Sequence, residues 1–101
     1  PGADQGPRRV VPLRFIEEFH RWVERESPSL PAQRVARHFL AEVGDESWRS
    51  PSIPVEALSN QPEYEVRAAA LDVEGEPRPV QIWYRHIYAT DDVDVIAVTN
   101  R

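Results

Sequence analysis

A chain of 101 residues makes one domain with one modest core, which excludes a large multi-step enzyme and leaves no room for a separate cofactor-binding domain. Hydrophobic residues at 41% suffice for a globular fold, no apolar run reaches the ~18 residues of a membrane span, and the absence of cysteine excludes a disulfide framework, a thiol nucleophile and a thiolate metal site. The net charge of −5 disfavours nucleic acid and favours a basic protein surface, so any RNA-directed role must rest on a local cluster of the arginines that supply every basic residue here.

Residues 1–9 are rich in proline, glycine and polar side chains and read as a disordered tail, leaving 10–101 as a single domain. No basic stretch followed by an apolar one marks a secretory signal, and a cytoplasmic chain is expected. From Pro12 to Glu26, Phe15, Ile16, Phe19, Trp22 and Val23 recur at i, i+1, i+4, i+7, i+8, the spacing of one face of a helix. Glu17, Glu18, Arg21, Glu24 and Arg25 fill its solvated face. Ser27-Pro28 then reads as a cap and a first-turn proline, with Pro31 still tolerated, before Val35, Ala36, Phe39, Leu40 and Val43 repeat the pattern. Gly44 sits where a left-handed terminal residue is expected. Two helices joined this closely form a hairpin, whose apolar faces need a sheet to cover.

Asp45 to Pro62 follows neither period and reads as a loop held by a few apolar anchors, Trp48 among them. Tyr64, Val66, Ala68 and Ala70 then share one strand face, while Leu71 and Val73 fall on the other parity, implying a bulge or burial on both sides. Glu74-Gly75-Glu76-Pro77 makes a turn. After it Val80, Ile82, Tyr84, His86 and Tyr88 alternate with Gln81, Trp83, Arg85, Ile87 and Ala89, as in a central strand. Asp91-Asp92 closes a hairpin into Val93 to Thr99, whose nearly continuous apolar run predicts a well-buried strand. The fold class is α+β: an N-terminal helical hairpin packed on a three- to four-stranded antiparallel sheet, in the order ααβββ.

Common catalytic signatures are missing. No glycine-rich phosphate loop or G-x-S-x-G elbow occurs, and His20, His38 and His86 include no i, i+4 pair that would make a helical zinc site, so neither metal nor cofactor is expected. His20 and His38 flank the apolar stripes of their helices and read as bordering the core. Asp91, Asp92 and Asp94 offer oxygen ligands, but Asp91 and Asp92 lie in the hairpin turn, where aspartate is favoured for its own backbone bonding, and Glu63, Glu65, Glu74 and Glu76 read as solvated edge and turn residues. What remains is the polar content of the strands: Arg67, Tyr84, Arg85, His86, Tyr88 and Arg101. By parity Arg85 and His86 lie on opposite faces. If Tyr84, His86 and Tyr88 face outward they offer stacking surfaces and a titratable group for RNA or acid–base work; if that side meets the helices they are core, and Trp83, Arg85 and Ile87 turn outward.

These strands resemble the RelE/ParE superfamily of small bacterial toxins. The likeness spans 10–101 and rests on the helical hairpin linked at Glu26-Ser27-Pro28, Val66-Arg67 on one strand, Tyr84, Arg85 and Tyr88 on the next, the acidic turn Asp91-Asp92, and the end formed by Val98, Asn100 and Arg101. For a chain that cleaves mRNA on the ribosome, the resemblance implies Arg85 and Arg101 holding the scissile phosphate and His86 or Tyr88 moving the proton. The arginines would act by stabilising the developing charge, with Arg67 and Tyr84 as substrate contacts. For a chain that poisons gyrase by protein contact, which suits an acidic, lysine-free sequence better, none of these is required. Either implies growth inhibition and an antitoxin partner that wraps the toxin as a partly disordered segment. The rival reading is a non-catalytic interaction module, such as an immunity protein or adaptor, using the same layout as a scaffold.

Overall fold

The computed structural model describes residues 13–45, 52–58 and 61–101, with the backbone alone at 13–16, 44, 45 and 57. The expected tail at 1–9 and the Trp48 anchor lie outside the described residues. Two helices, α1 (Leu13–Glu26) and α2 (Leu30–Asp45), precede four strands: β1 (Ile53–Pro54), β2 (Tyr64–Leu71), β3 (Val80–Ile87) and β4 (Asp92–Thr99). A short 3₁₀ turn, Glu56–Leu58, follows β1. The sheet is antiparallel throughout in the order β1-β2-β3-β4, so β3 is interior, as its strict alternation implies.

The link between the helices differs from expectation in its cap. Ser27 donates its N–H to the Val23 carbonyl at 2.9 Å with φ 47°, which makes it the left-handed terminal residue of α1. The cap of α2 is Ser29, whose Oγ accepts from the Ala32 N–H at 3.2 Å. Ser27 is already committed as the left-handed end of α1, so in so short a link the capping role passes to the next serine. At the far end α2 continues through Gly44 to Asp45 rather than ending before Gly44.

Alternation along β3 decides the layers. Val80, Ile82, Tyr84 and His86 are buried, and Gln81, Trp83, Arg85 and Ile87 are half-buried on the opposite side. The core joins Phe19 and Trp22 of α1 and Ala32, Ala36, Phe39, Leu40 and Val43 of α2 to Ala69, Val80, Ile82, Tyr84, Val93, Val95 and Val98 of the sheet. Tyr84, His86 and their neighbours therefore lie on the helix side of the sheet, and Trp83, Arg85 and Ile87 on the helix-free side.

Two strand expectations change. β2 pairs with β3 in unbroken register from Tyr64↔Ile87 to Leu71↔Val80, and its mixed parity reflects burial on both sides, with Val66 and Ala69 each 4% exposed. The bulge occurs in β4 instead, where Tyr84 pairs with Val95 but Trp83 with Ala97, leaving Ile96 unmatched. Val93, Val95 and Val98 thereby all face the helices. The apolar run in β4 thus records a parity slip in an edge strand, and the strand is not buried on both faces.

At the β2–β3 connection the Glu76 N–H donates to the Val73 carbonyl at 3.0 Å, and Gly75 takes φ +85° at the third position, the geometry of a type II turn.

Candidate functional site

Register brings the polar residues of the helix side together. Glu65↔His86 and Arg67↔Tyr84 are direct partners across β2 and β3, so four polar side chains form one patch beyond the apolar core. Arg67, 9% exposed, donates from Nε to Ser52 Oγ at 2.8 Å and from Nη2 to the Ser52 carbonyl at 2.8 Å, and its Nη1 lies 3.4 Å from Glu65 Oε1. The Tyr84 hydroxyl shares a 2.6 Å hydrogen bond with the same Ser52 Oγ. Burial pushes the Tyr84 phenol above its ordinary range, opposed by the Ser52 hydrogen bond and by Arg67, so the hydroxyl stays neutral.

His86 extends this network. The ring is 3% exposed, with Nε2 2.7 Å from Asp91 Oδ1 and Nδ1 3.4 Å from Glu65 Oε2. Asp91 reaches it from the connecting loop, where its φ of 58° turns the chain and its N–H donates to the Ile87 carbonyl at 2.9 Å. The Tyr88 ring, 52% exposed, meets the imidazole edge-on at 5.5 Å.

Across the sheet, Arg85 is paired with Asp94, its register partner, and its guanidinium lies 5.2 Å from the centre of the Tyr64 ring. The Asp94 hydrogen bond, partly offset by burial, and the Asp94 charge hold the Arg85 proton more firmly than usual. On the same face Ile53, Ala68, Ala70, Gln81 and Trp83 line a shallow, largely apolar trough of about 380 Å³. A second groove of about 310 Å³ runs between α2 and the end of β2, floored by Val35, Phe39 and Leu71 and rimmed by Arg34, His38 and Glu42. His20 and His38 are exposed, and His38 lies 3.1 Å from Glu42 Oε2.

A separate polar seam ties α1 to the end of β4. The Glu26 carboxylate, 4% exposed, accepts from Thr99 Oγ1 at 2.6 Å, from the Asn100 N–H at 3.0 Å and from Arg25 Nη2 at 3.1 Å. Burial raises its pKa, but the donors, Thr99 foremost, outweigh that and hold it below the ordinary carboxylate value. The fully buried Trp22 donates Nε1–H to Asn100 Oδ1 at 3.2 Å, and Arg25 Nη2 donates to the Val98 carbonyl at 2.7 Å.

The six residues singled out from the sequence are thus divided. Arg67, Tyr84 and His86 share the helix-side network, with Tyr88 against the His86 ring. Arg85 faces the other way. Arg101 is exposed beyond the Thr99 end of β4, while His86 lies near the opposite end, roughly 20 Å away at about 3.3 Å per strand residue. Ser52, Glu65, Asp91 and Asp94 complete the two clusters; the first three were read from the sequence as loop, edge and turn residues, and Asp94 fell within the last strand with no role assigned. Correction is sharpest for Glu65, read as solvated, whose side chain is 14% exposed and paired with Arg67. A cross-strand charge match, Glu65 against His86 and Asp94 against Arg85, was the available signal, and it needs the register to be read. Among the described residues no group of three or more histidine, cysteine, aspartate or glutamate side chains is arranged to hold a metal ion. No described helix is long and apolar enough to cross a membrane. The chain matches no protein-family model, no curated protein and no solved structure.

Proposed function

We propose that this chain acts by contact with another protein, through the helix-free face of its sheet, and not by catalysis of its own. The observation that carries the reading is the commitment of the arginines suited to phosphate chemistry. Arg85 is held by Asp94 and Tyr64, and Arg67 by Ser52 and Glu65. A scissile phosphate would have to displace these partners at two separate faces, and no shared space joins Arg85, His86 and Arg101 around one reacting atom. The trough beside Trp83 offers contact area, and a net charge of −5 favours a basic partner surface. A photo-crosslinking residue placed at Trp83, beside one at His38 on the helical side, tests this in the source cells. One discrete protein adduct from position 83 and none from position 38 is expected; equal capture from both, or none, defeats it.

The layout of a helical hairpin followed by an antiparallel meander supports a second reading, a toxin of a toxin–antitoxin module that arrests growth by contacting gyrase or by cleaving mRNA. Gyrase contact agrees with the first reading. Induction of the wild-type chain should then stop colony formation. Relief by folded Arg85→Ala or Arg101→Ala would favour mRNA cleavage, persistence of arrest in both would favour contact, and normal growth with wild type would sink the toxin reading altogether.

A further inference from the structure

We infer that the trough beside Trp83 is a subsite for one long cationic side chain, lysine or arginine, of the protein that this face meets; the inference rests on the contact reading above. Its shape follows from register. Ile53, Ala68 and Trp83 form one row across β1, β2 and β3, and Ala70 and Gln81 form the next. Alanine is a poor strand former, and at positions 68 and 70 its small side chain leaves open a floor that the usual β-branched or aromatic residue would fill. The space amounts to about 380 Å³, bounded by Ile53, 70% exposed, and by the half-buried indole. Successive rows on one face lie about 7 Å apart, two residues at roughly 3.3 Å each. Asp72 comes one such step beyond Ala70. Leu71 and Val73 on either side of it pack into the core, so alternation turns Asp72 to the helix-free side.

The charges around this floor select the sign of the occupant. Arg85, on the same face, is already held by Asp94 and by the Tyr64 ring. Asp72 is exposed, and among the described residues its carboxylate has neither an ion pair nor a hydrogen bond; Arg78 on the same connection does not pair with it. Glu74, exposed two residues on, adds charge of the same sign. The Gln81 side-chain amide is likewise without a partner among the described residues. An anion would meet these carboxylates and find no uncommitted cation in the trough. An uncharged apolar chain would cover the floor and leave the carboxylate and the amide unused. A lysine or arginine serves both ends. Its methylene stem lies on Ala68 and Ala70 between Ile53 and Trp83, and its head emerges past Gln81, whose amide oxygen accepts an N–H, to meet Asp72.

The test is a two-dimensional NMR titration of the whole chain with two probes of similar stem and different charge, acetyl-arginine amide and acetyl-norleucine amide, at matched ionic strength. Arginine amide should bind with a dissociation constant on the order of millimolar and shift the Trp83 indole N–H together with the backbone amides of Ala68, Ala70, Gln81 and Asp72. Norleucine amide should bind about two- to five-fold more weakly, the scale of one exposed charge pair. Asp72→Asn, which keeps the shape at an exposed position, should erase that difference and leave norleucine binding as it was. Ala70→Leu, which fills the floor and keeps the carboxylate, should weaken both probes. Equal binding of the two probes, an arginine preference unchanged in Asp72→Asn, or no saturable shift on this face would each overturn the subsite. The contact reading fails separately: a crosslinker at position 83 that captures no protein sinks that reading while arginine binding here upholds the subsite, and capture without arginine binding does the reverse.

Discussion

At the Thr99 end of the sheet a buried carboxylate, Glu26, gathers hydrogen bonds from Thr99, Asn100 and Arg25; near the Ile87 end a buried imidazole, His86, stands between two carboxylates. Both are small polar clusters under a mostly apolar sheet. They differ in how many donors and acceptors they hold when one proton moves. A carboxylate only accepts, and with every neighbour a donor the seam is satisfied in one state across neutral pH. The imidazole changes its donor count with a single proton. A fixed clasp and a yielding contact can thus be built from the same few residue types, the outcome resting on which member titrates.

The sharpest break in this comparison comes from beneath the seam. Trp22→Ala removes a fully buried ring and the donor to Asn100, and should cost about 3–5 kcal/mol in denaturant unfolding. Glu26→Gln keeps the shape but loses the charge and one acceptor oxygen, at an expected cost of about 1.5–3 kcal/mol. The two proteins should also differ in acid. The Glu26 carboxyl is held below its ordinary value in the fold, so the unfolded chain takes up the proton first as pH falls. The stability it supplies is complete above the ordinary carboxylate pKa and is lost as pH drops through the folded one. A plot of unfolding free energy against pH should therefore fall less steeply below about pH 4.5 in Glu26→Gln than in wild type.

On the network side the effects should be smaller. Tyr84→Phe deletes the hydroxyl bonded to Ser52 while leaving Arg67 on the same serine, at about 0.5–1.5 kcal/mol by thermal unfolding. Asp91→Asn, at an exposed position, should cost only about 0.2–1 kcal/mol at neutral pH. If Asp91→Asn proves as costly as Glu26→Gln, the contrast between clasp and yielding contact collapses.

Much of the layout was legible from residue spacing. The two i, i+4, i+7 stripes mark the helices, and the alternation from Val80 to Ile87 marks an interior strand. The bulge at Ile96 was also written in the sequence, as the step from Val93 and Val95 to Val98, but an uninterrupted apolar run hides a parity slip. The site was harder to read, because each face of β3 carries an aromatic residue, Tyr84 on one and Trp83 on the other. Parity alone separates Arg85 from His86 without saying which meets the helices. The tie breaks on Val80 and Ile82 against Gln81. Glu65, Ser52 and Asp91 gain their roles only through cross-strand register and loop closure, which no local window contains.

The Arg25 guanidinium on the Val98 carbonyl has a consequence for how molecules of this chain meet one another. β4 is the outer strand on its side, and such a strand is a template on which a foreign strand can be laid. Here the template is spoiled three times along its length: by the carboxylates of Asp92 and Asp94 at its start, by the kink at Ile96, and by Arg25 occupying a carbonyl near its end. The β4 border is closed to sideways growth. Two copies of the chain therefore cannot join β4 to β4 as a continuous ribbon without first displacing Arg25 and straightening the kink.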